Sequence, residues 1–168
     1  MTTLFSYDWT WVHPTKGTFE IETAVVDQKP SESAVNNVRC FIWVDKKIVL
    51  VLSKYGDWQL PGGTVEEGES DTETLLREVH EEANIEHLDN ITQLCWRVNH
   101  KTAQDKTRKV SVDSFFVATA KDLPVFVSDP AGTIVETKLV DLSEISKYLA
   151  WTPIESIDNL VEVVKQMR

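Results

Sequence analysis

The chain has 168 residues, 42% of them hydrophobic and 26% charged, and a net charge of −10. That length suits one domain with a core of its own, and no apolar run approaches the roughly 18–20 residues of a membrane span. The charge argues against duplex nucleic acid and anionic membranes as partners, because both would be repelled; small anionic substrates stay open, since a metal ion can mediate them.

The N-terminal MTTLFSYDWTWVHPTKG lacks the basic-then-apolar order of a signal peptide, and a cytoplasmic protein is expected. An N-terminal strand is expected before QKPSESAVNN (28–37), which reads as a loop. VRCFIWVDKKIVLVLS then predicts a hairpin, with strands at Val38–Val44 and Ile48–Leu52 about a turn at Asp45–Lys47. Its near-continuous apolarity predicts strands covered on both faces. A short strand is expected around Trp58–Leu60, and a helix over 70–83. ITQLCWRVNH (91–100) and KVSVDSFFVATA (109–120) predict two strands about the polar loop TAQDKTR. Another strand is expected within GTIVETKLVDL, then helices at SEISKYL and over 154–168. In the last helix Ile154, Ile157, Leu160, Val161 and Val164 share a face. The pattern predicts a layered α/β domain of mixed α+β type. Cys40 and Cys95 fall in predicted strands, without the spacing of a zinc site, and fit two buried thiols better than a disulfide.

The chemistry concentrates in the helix over 70–83. Ser70 and Glu73 form a capping-box pattern, and Asp71 adds a favourable charge to the first turn. Leu75, Leu76, Val79 and Ala83 make an apolar sector, and Glu78, Glu81 and Glu82 an acidic one beside it. Like charges at i,i+3 and i,i+4 repel by a few tenths of a kcal/mol each. The acidic sector is either a solvated face or a site for a hard cation, for which carboxylates suit Mg²⁺ or Mn²⁺. The preceding LPGGTVEEGE favours the site: Gly62 and Gly63 permit close backbone approach, offering carbonyls to a cation or N–H groups to phosphate.

These residues resemble the Nudix hydrolase signature over its full 23 positions. Gly63 opens it, Glu69 follows after five residues, and seven more lead to Arg77-Glu78-Val79-His80-Glu81-Glu82-Ala83-Asn84-Ile85. Asn84 alone departs, standing where the family has glycine. Trp58, Leu60, Pro61 and Gly62, just upstream, also resemble the family. The resemblance implies a mixed β-sheet sandwiched between helices and a Mg²⁺- or Mn²⁺-dependent hydrolysis of a nucleoside diphosphate linked to another group. It implies Glu78, Glu81 and Glu82 as metal ligands, with the Gly63 carbonyl as a further donor and Glu69 and Gly62 in support. Arg77 is expected to orient a catalytic glutamate, and Glu78 is a candidate base. Asp113 and Glu136 are candidate further acids, with an ordinary exposed acid the alternative for each. Asn is the residue after glycine that best tolerates a left-handed helix stop, so an intact site is expected. A Nudix fold that binds or senses a nucleotide without cleaving it is the alternative function.

The substrate is less legible. Lys101 stands sixteen residues after Ile85, where some members carry the proline or tyrosine of particular substrate classes. Without such a marker, a nucleoside triphosphate or modified nucleotide is the expectation. Trp9, Trp11 and Phe5 either pack, form a subunit contact or line a base pocket, and the aromatic N-terminus is compatible with a homodimer. His100 and Lys101 either meet phosphates or belong to a solvated loop. His13 and His80 lack partners at metal-ligand spacing.

Overall fold

A computed structural model describes residues 1–13, 15–31, 34–149 and 154–166. The strands are β1 (Thr3–His13), β2 (Gly17–Val26), β3 (Asn37–Val44), β4 (Lys47–Ser53), β5 (Trp58–Gln59), β6 (Asp89–Ala103), β7 (Arg108–Thr119) and β8 (Ile134–Asp141). The helices are α1 (Asp71–Ala83) and α2 (Ile154–Gln166), and Leu142–Lys147 forms a 3-10 helix. All eight strands join one sheet in the order β1-β2-β6-β7-β3-β4-β5, with β8 on the other edge of β4. Among the strand pairs of the described residues only β3–β7 is parallel, so the sheet is mixed, as expected.

Alternation along the central strands places the two helices. Val38, Cys40, Ile42 and Val44 of β3, with Val49 and Val51 of β4, join Leu75, Val79 and Ala83 of α1 in one cluster. Phe41 and Trp43, with Ile48 and Leu50, join Ile157, Leu160, Val161 and Val164 of α2 in the other. With period two, one strand supplies both cores. This is the two-faced burial that the apolar run predicted. Cys40 and Cys95 are both free and buried. They belong to clusters on opposite faces of the sheet, which rules out a bond between them. Among the predicted residues of the α2 face, the Ile154 side chain lies outside those described, as do residues 167 and 168.

Several elements differ from expectation. The N-terminal segment is a hairpin of two long strands, with β2 paired to β6 from Phe19↔Ala103 to Val26↔Trp96. The predicted polar loop shrinks to a tight turn, because Thr102 still pairs with Arg108 and the Ala103 amide donates to Thr107 O at 2.9 Å. SEISKYL closes as a 3-10 turn packed through Ile145, not as an α-helix. Among the described residues, no helix is long and apolar enough to cross a membrane.

A fork in the sheet places the glycine loop. β3 and β4 pair only at Trp43↔Ile48 and Val44↔Lys47 before β4 turns to β5. Residues 61–65 take the vacated edge of β3. The Cys40 amide donates to Pro61 O at 3.0 Å, the Val38 amide to Gly63 O at 2.9 Å, and the Val65 amide to Asn36 O at 3.0 Å. Gly62 lies at φ +137°, and a Cβ there would stand 2.2 Å from Val38 O. Only glycine allows this approach of backbone to backbone.

Candidate active site

α1 begins and ends by local chemistry. Ser70 caps it with both halves of the capping box formed: the Glu73 amide donates to Ser70 Oγ at 3.3 Å, and the Ser70 amide to Glu73 Oε2 at 2.8 Å. Asn84 stops it in the left-handed region, φ 55° and ψ 25°, with its amide donating to His80 O. The expectation of a preserved helix stop holds.

The apolar side of α1 is pinned by Leu75, Val79 and Ala83, so Glu78 and Glu82 are directed to the glycine loop on the forked edge of β3 and Glu81 to Arg77. The Gly62 amide donates to Glu82 Oε2 at 2.9 Å. Burial pushes the Glu82 carboxyl up to about 7 despite that bond and the nearby Arg39. Burial also raises Glu78, against the pull of Arg77. A Cβ at position 63 would meet Glu78 Oε1 at 2.2 Å, so the second glycine leaves the space that this carboxylate fills.

Arg77 is the hub of the acids. Its Nε donates to Glu69 Oε1 at 2.8 Å and its Nη2 to Glu69 Oε2 at 3.0 Å, a bidentate pair. Its Nη1 donates to Glu78 Oε1 at 2.9 Å and lies 3.5 Å from Glu81 Oε2. Thr74 Oγ1 adds a 2.7 Å bond to Glu69 Oε2. The bonds from Arg77 and Thr74 hold the Glu69 carboxyl down at about 2. Glu69 therefore anchors the arginine, and the arginine touches Glu78 and Glu81.

Among the described residues, no three acidic, histidine or cysteine side chains close around one point. Glu78 and Glu81 turn to Arg77, and Glu82 turns to the loop amide. The donor set nevertheless fits a hard divalent cation. Three carboxylates lie within about one turn of helix, and two of them are partly desolvated with their charge disfavoured, a situation a cation reverses. The Gly63 carbonyl accepts from the Val38 amide and keeps a second lone pair.

The two further candidate acids part company. Asp113 is buried, not exposed. Its carboxylate accepts from Arg97 Nε and Nη2 at 2.9 and 2.7 Å, from Asn37 Nδ2 at 2.9 Å and from Asn99 Nδ2 at 3.3 Å. Thr64 Oγ1 donates to Asn37 Oδ1 at 3.2 Å, so this network reaches the glycine loop. Glu136 is exposed on β8 opposite Leu52, in register with Lys138 and Val140, which places it on the α2 face of the sheet and away from the α1 acids.

Arg39 is a residue that sequence reasoning missed. It lies on β3, its Nη1 donates to Gly62 O, and Glu82 and Asp113 both act on its charge. Burial pulls its pKa down and those two acids oppose the pull. The signal was present: a lone charge in the apolar alternation of VRCFIWV is costly without a partner. The N-terminal aromatics pack together. Trp11 stacks on Phe19 at 5.5 Å with Lys101 Nζ over both rings at 3.7 and 4.0 Å, and Trp9 Nε1 donates to Thr23 Oγ1 at 3.2 Å.

A family model described as the NUDIX domain matches residues 34–167, leaving the β1–β2 hairpin outside the matched span. No relative among curated proteins matches the sequence. Solved structures resemble the chain at low identity. The Bacillus subtilis pyrophosphohydrolase BsRppH is 18% identical with a TM-score of 0.66, over 95% of this chain and 97% of that one. The MutT NUDIX hydrolase from Burkholderia pseudomallei is 24% identical with a TM-score of 0.55, over 79% of this chain and 99% of that one. The NUDIX domain of Shewanella oneidensis NrtR, complexed with ADP ribose, is 22% identical with a TM-score of 0.55, over 82% of this chain and 94% of that one. At such identities these structures bear on the fold, a mixed sheet between helices. With the family model spanning most of its length, the chain belongs to the Nudix hydrolase family.

Proposed function

We propose that the protein is a Mg²⁺- or Mn²⁺-dependent pyrophosphohydrolase of a nucleoside diphosphate linked to another group, with a nucleoside triphosphate or a modified nucleotide as substrate. The observation that carries this reading is the acid edge of α1: Glu78, Glu81 and Glu82 meet Arg77 and the glycine loop, and burial raises the pKa values of Glu78 and Glu82. In this reading Glu78, Glu81 and Glu82 hold the cation, with Gly63 O as a further donor. A divalent cation there supplies the charge that a diphosphate needs beside carboxylates and lowers the pKa of an attacking water. Arg77, anchored by Glu69, keeps Glu78 oriented through the 2.9 Å bond from Nη1. Glu78, held by that bond, accepts the water's proton. Arg39 adds a fixed positive charge beside Gly62, where a phosphate oxygen would be attracted.

Solved relatives named as a pyrophosphohydrolase and a MutT hydrolase support the same class, and the complex with ADP ribose shows a nucleoside diphosphate derivative on this fold. A panel of nucleoside triphosphates, modified nucleotides and nucleoside diphosphate conjugates, assayed with Mg²⁺ and Mn²⁺ and with the products identified, tests the reading. Turnover that needs the metal and is lost in Glu82→Gln is expected. Tight nucleotide binding without turnover, by protein shown to bind metal, would overturn it.

A further inference from the structure

Asn84, the one departure from the family signature, does more than stop the helix. Its Oδ1 accepts from the Val127 amide at 2.9 Å, and its Nδ2 donates to Ser128 O at 3.2 Å. Glycine at this position would keep the left-handed stop and lose both bonds. Among the described residues, Asn84 makes the only hydrogen bonds to Val127 and Ser128. Phe126 packs against the core on the α1 side, while its neighbours Val125 and Val127 are 87% and 81% exposed, so beyond Phe126 the polar hold comes from Asn84. The next residue, Asp129, is buried and folds the following turn around itself. Its Oδ2 accepts from the Thr133 amide at 2.7 Å, the Ile134 amide at 2.8 Å and Thr133 Oγ1 at 2.6 Å, while Oδ1 accepts from the Ala131 amide at 2.9 Å. Asp129 follows directly on Ser128, which the Asn84 side chain holds two residues beyond Glu82, and its charge acts on the Glu82 carboxyl.

We propose that Asn84 is a positioning residue that clamps the 127–134 loop to the end of α1 and so holds the Asp129 carboxylate beside the acid site as an outer negative charge. The inference rests on the cation-binding role proposed above for Glu82. Asp129 touches no metal in this scheme. Its four hydrogen bonds are already spent on its own turn, and it acts through the field it adds. A fixed negative charge near the site favours a divalent cation, by an amount that falls as salt screens it.

The test compares wild type, Asn84→Gly and Asp129→Asn by hydrogen exchange of the metal-free proteins and by direct Mn²⁺ titration. Asn84→Gly keeps the helix stop, so α1 should exchange as in wild type. The Val127 amide should exchange about tenfold faster, the cost of one lost hydrogen bond. The Mn²⁺ dissociation constant should rise about threefold in Asn84→Gly and similarly in Asp129→Asn at low ionic strength, with the difference shrinking in high salt. The double variant should be no weaker than Asp129→Asn alone, since both act through one charge. Unchanged exchange at Val127 would overturn the clamp. Faster exchange with wild-type Mn²⁺ affinity would overturn the positioning role and leave the clamp a local stabiliser. Wild-type protein that binds no Mn²⁺ would sink the cation-binding reading itself, a different result from either.

Discussion

A methyl group at position 63 would sit 2.2 Å from Glu78 Oε1 and 2.3 Å from its Cδ, at the movable end of a side chain. Gly63→Ala is therefore expected to fold while swinging Glu78 off the 2.9 Å bond to Arg77. A displacement of about 1 Å at a reacting group costs on the order of 100-fold in rate. The variant should lose about that much in kcat with a melting temperature near wild type, and a fully active Gly63→Ala would count against Glu78 as the proton acceptor. Glu69 yields a pH prediction. Its folded pKa of about 2 lies below the unfolded value of about 4.3. A depressed carboxyl stabilises the fold above its unfolded pKa, and the contribution fades as pH falls from about 5 towards 2. Urea unfolding of wild type and Glu69→Gln should show a gap at pH 7 that narrows at pH 3; a constant gap would mean that the Arg77 pair adds nothing to the folded state.

At the scale of elements, α1 was the most legible part of the chain. Its cap, apolar sector and stop are all local, and the structure returns them at Ser70, at Leu75 with Val79 and Ala83, and at Asn84, while Leu76, expected in the same sector, is exposed. Ser70→Ala removes both hydrogen bonds of the cap hydroxyl and should lower unfolding free energy by about 1 kcal/mol in urea titrations. A loss below a few tenths would show that tertiary packing alone ends the helix. The β3–β4 hairpin was legible for the same reason, since the run of alternating large residues on both sides of DKK is contiguous. The fork between β3 and β4 was not. It depends on Pro61–Val65 finding the edge of β3 about 25 residues upstream in sequence, and the close approach of Gly62 to Val38 O explains the first of that segment's two glycines. Arg39 escaped notice with it: a lone charge in a core strand demands a partner, but only the fold identifies Gly62, Glu82 and Asp113 as the groups that supply it. The N-terminal hairpin was reduced to one strand because its aromatic and charged residues alternate without a hydrophobic face as plain as that of β3.

At the scale of the molecule, the sheet separates the acids by face. Glu136 and the α1 acids are both carboxylates near mixed strands in the sequence, yet β8 turns Glu136 to the α2 side. The site is built where α1, the glycine loop and one end of β3 meet, so cation binding should couple to the stability of the whole fold. The carboxyl of Glu82, raised to about 7 by burial, fixes the sign. In metal-free protein, burial leaves this group stable when protonated and costly when charged, so stability falls as pH rises from about 4.3, the unfolded value, to about 7 and levels off above it. Glu82→Gln should therefore stabilise the metal-free protein at pH 8, on the order of 2 kcal/mol, or a few degrees in melting temperature for a chain of this size. Mg²⁺ reverses the comparison. A cation bound only by the folded state adds about 2.7 kcal/mol at one hundred times its dissociation constant. Wild type should gain that on addition of Mg²⁺ at pH 8, and Glu82→Gln should gain little, so the two melting curves cross. Parallel curves, with and without Mg²⁺, would place the cation away from Glu82 and require another ligand set.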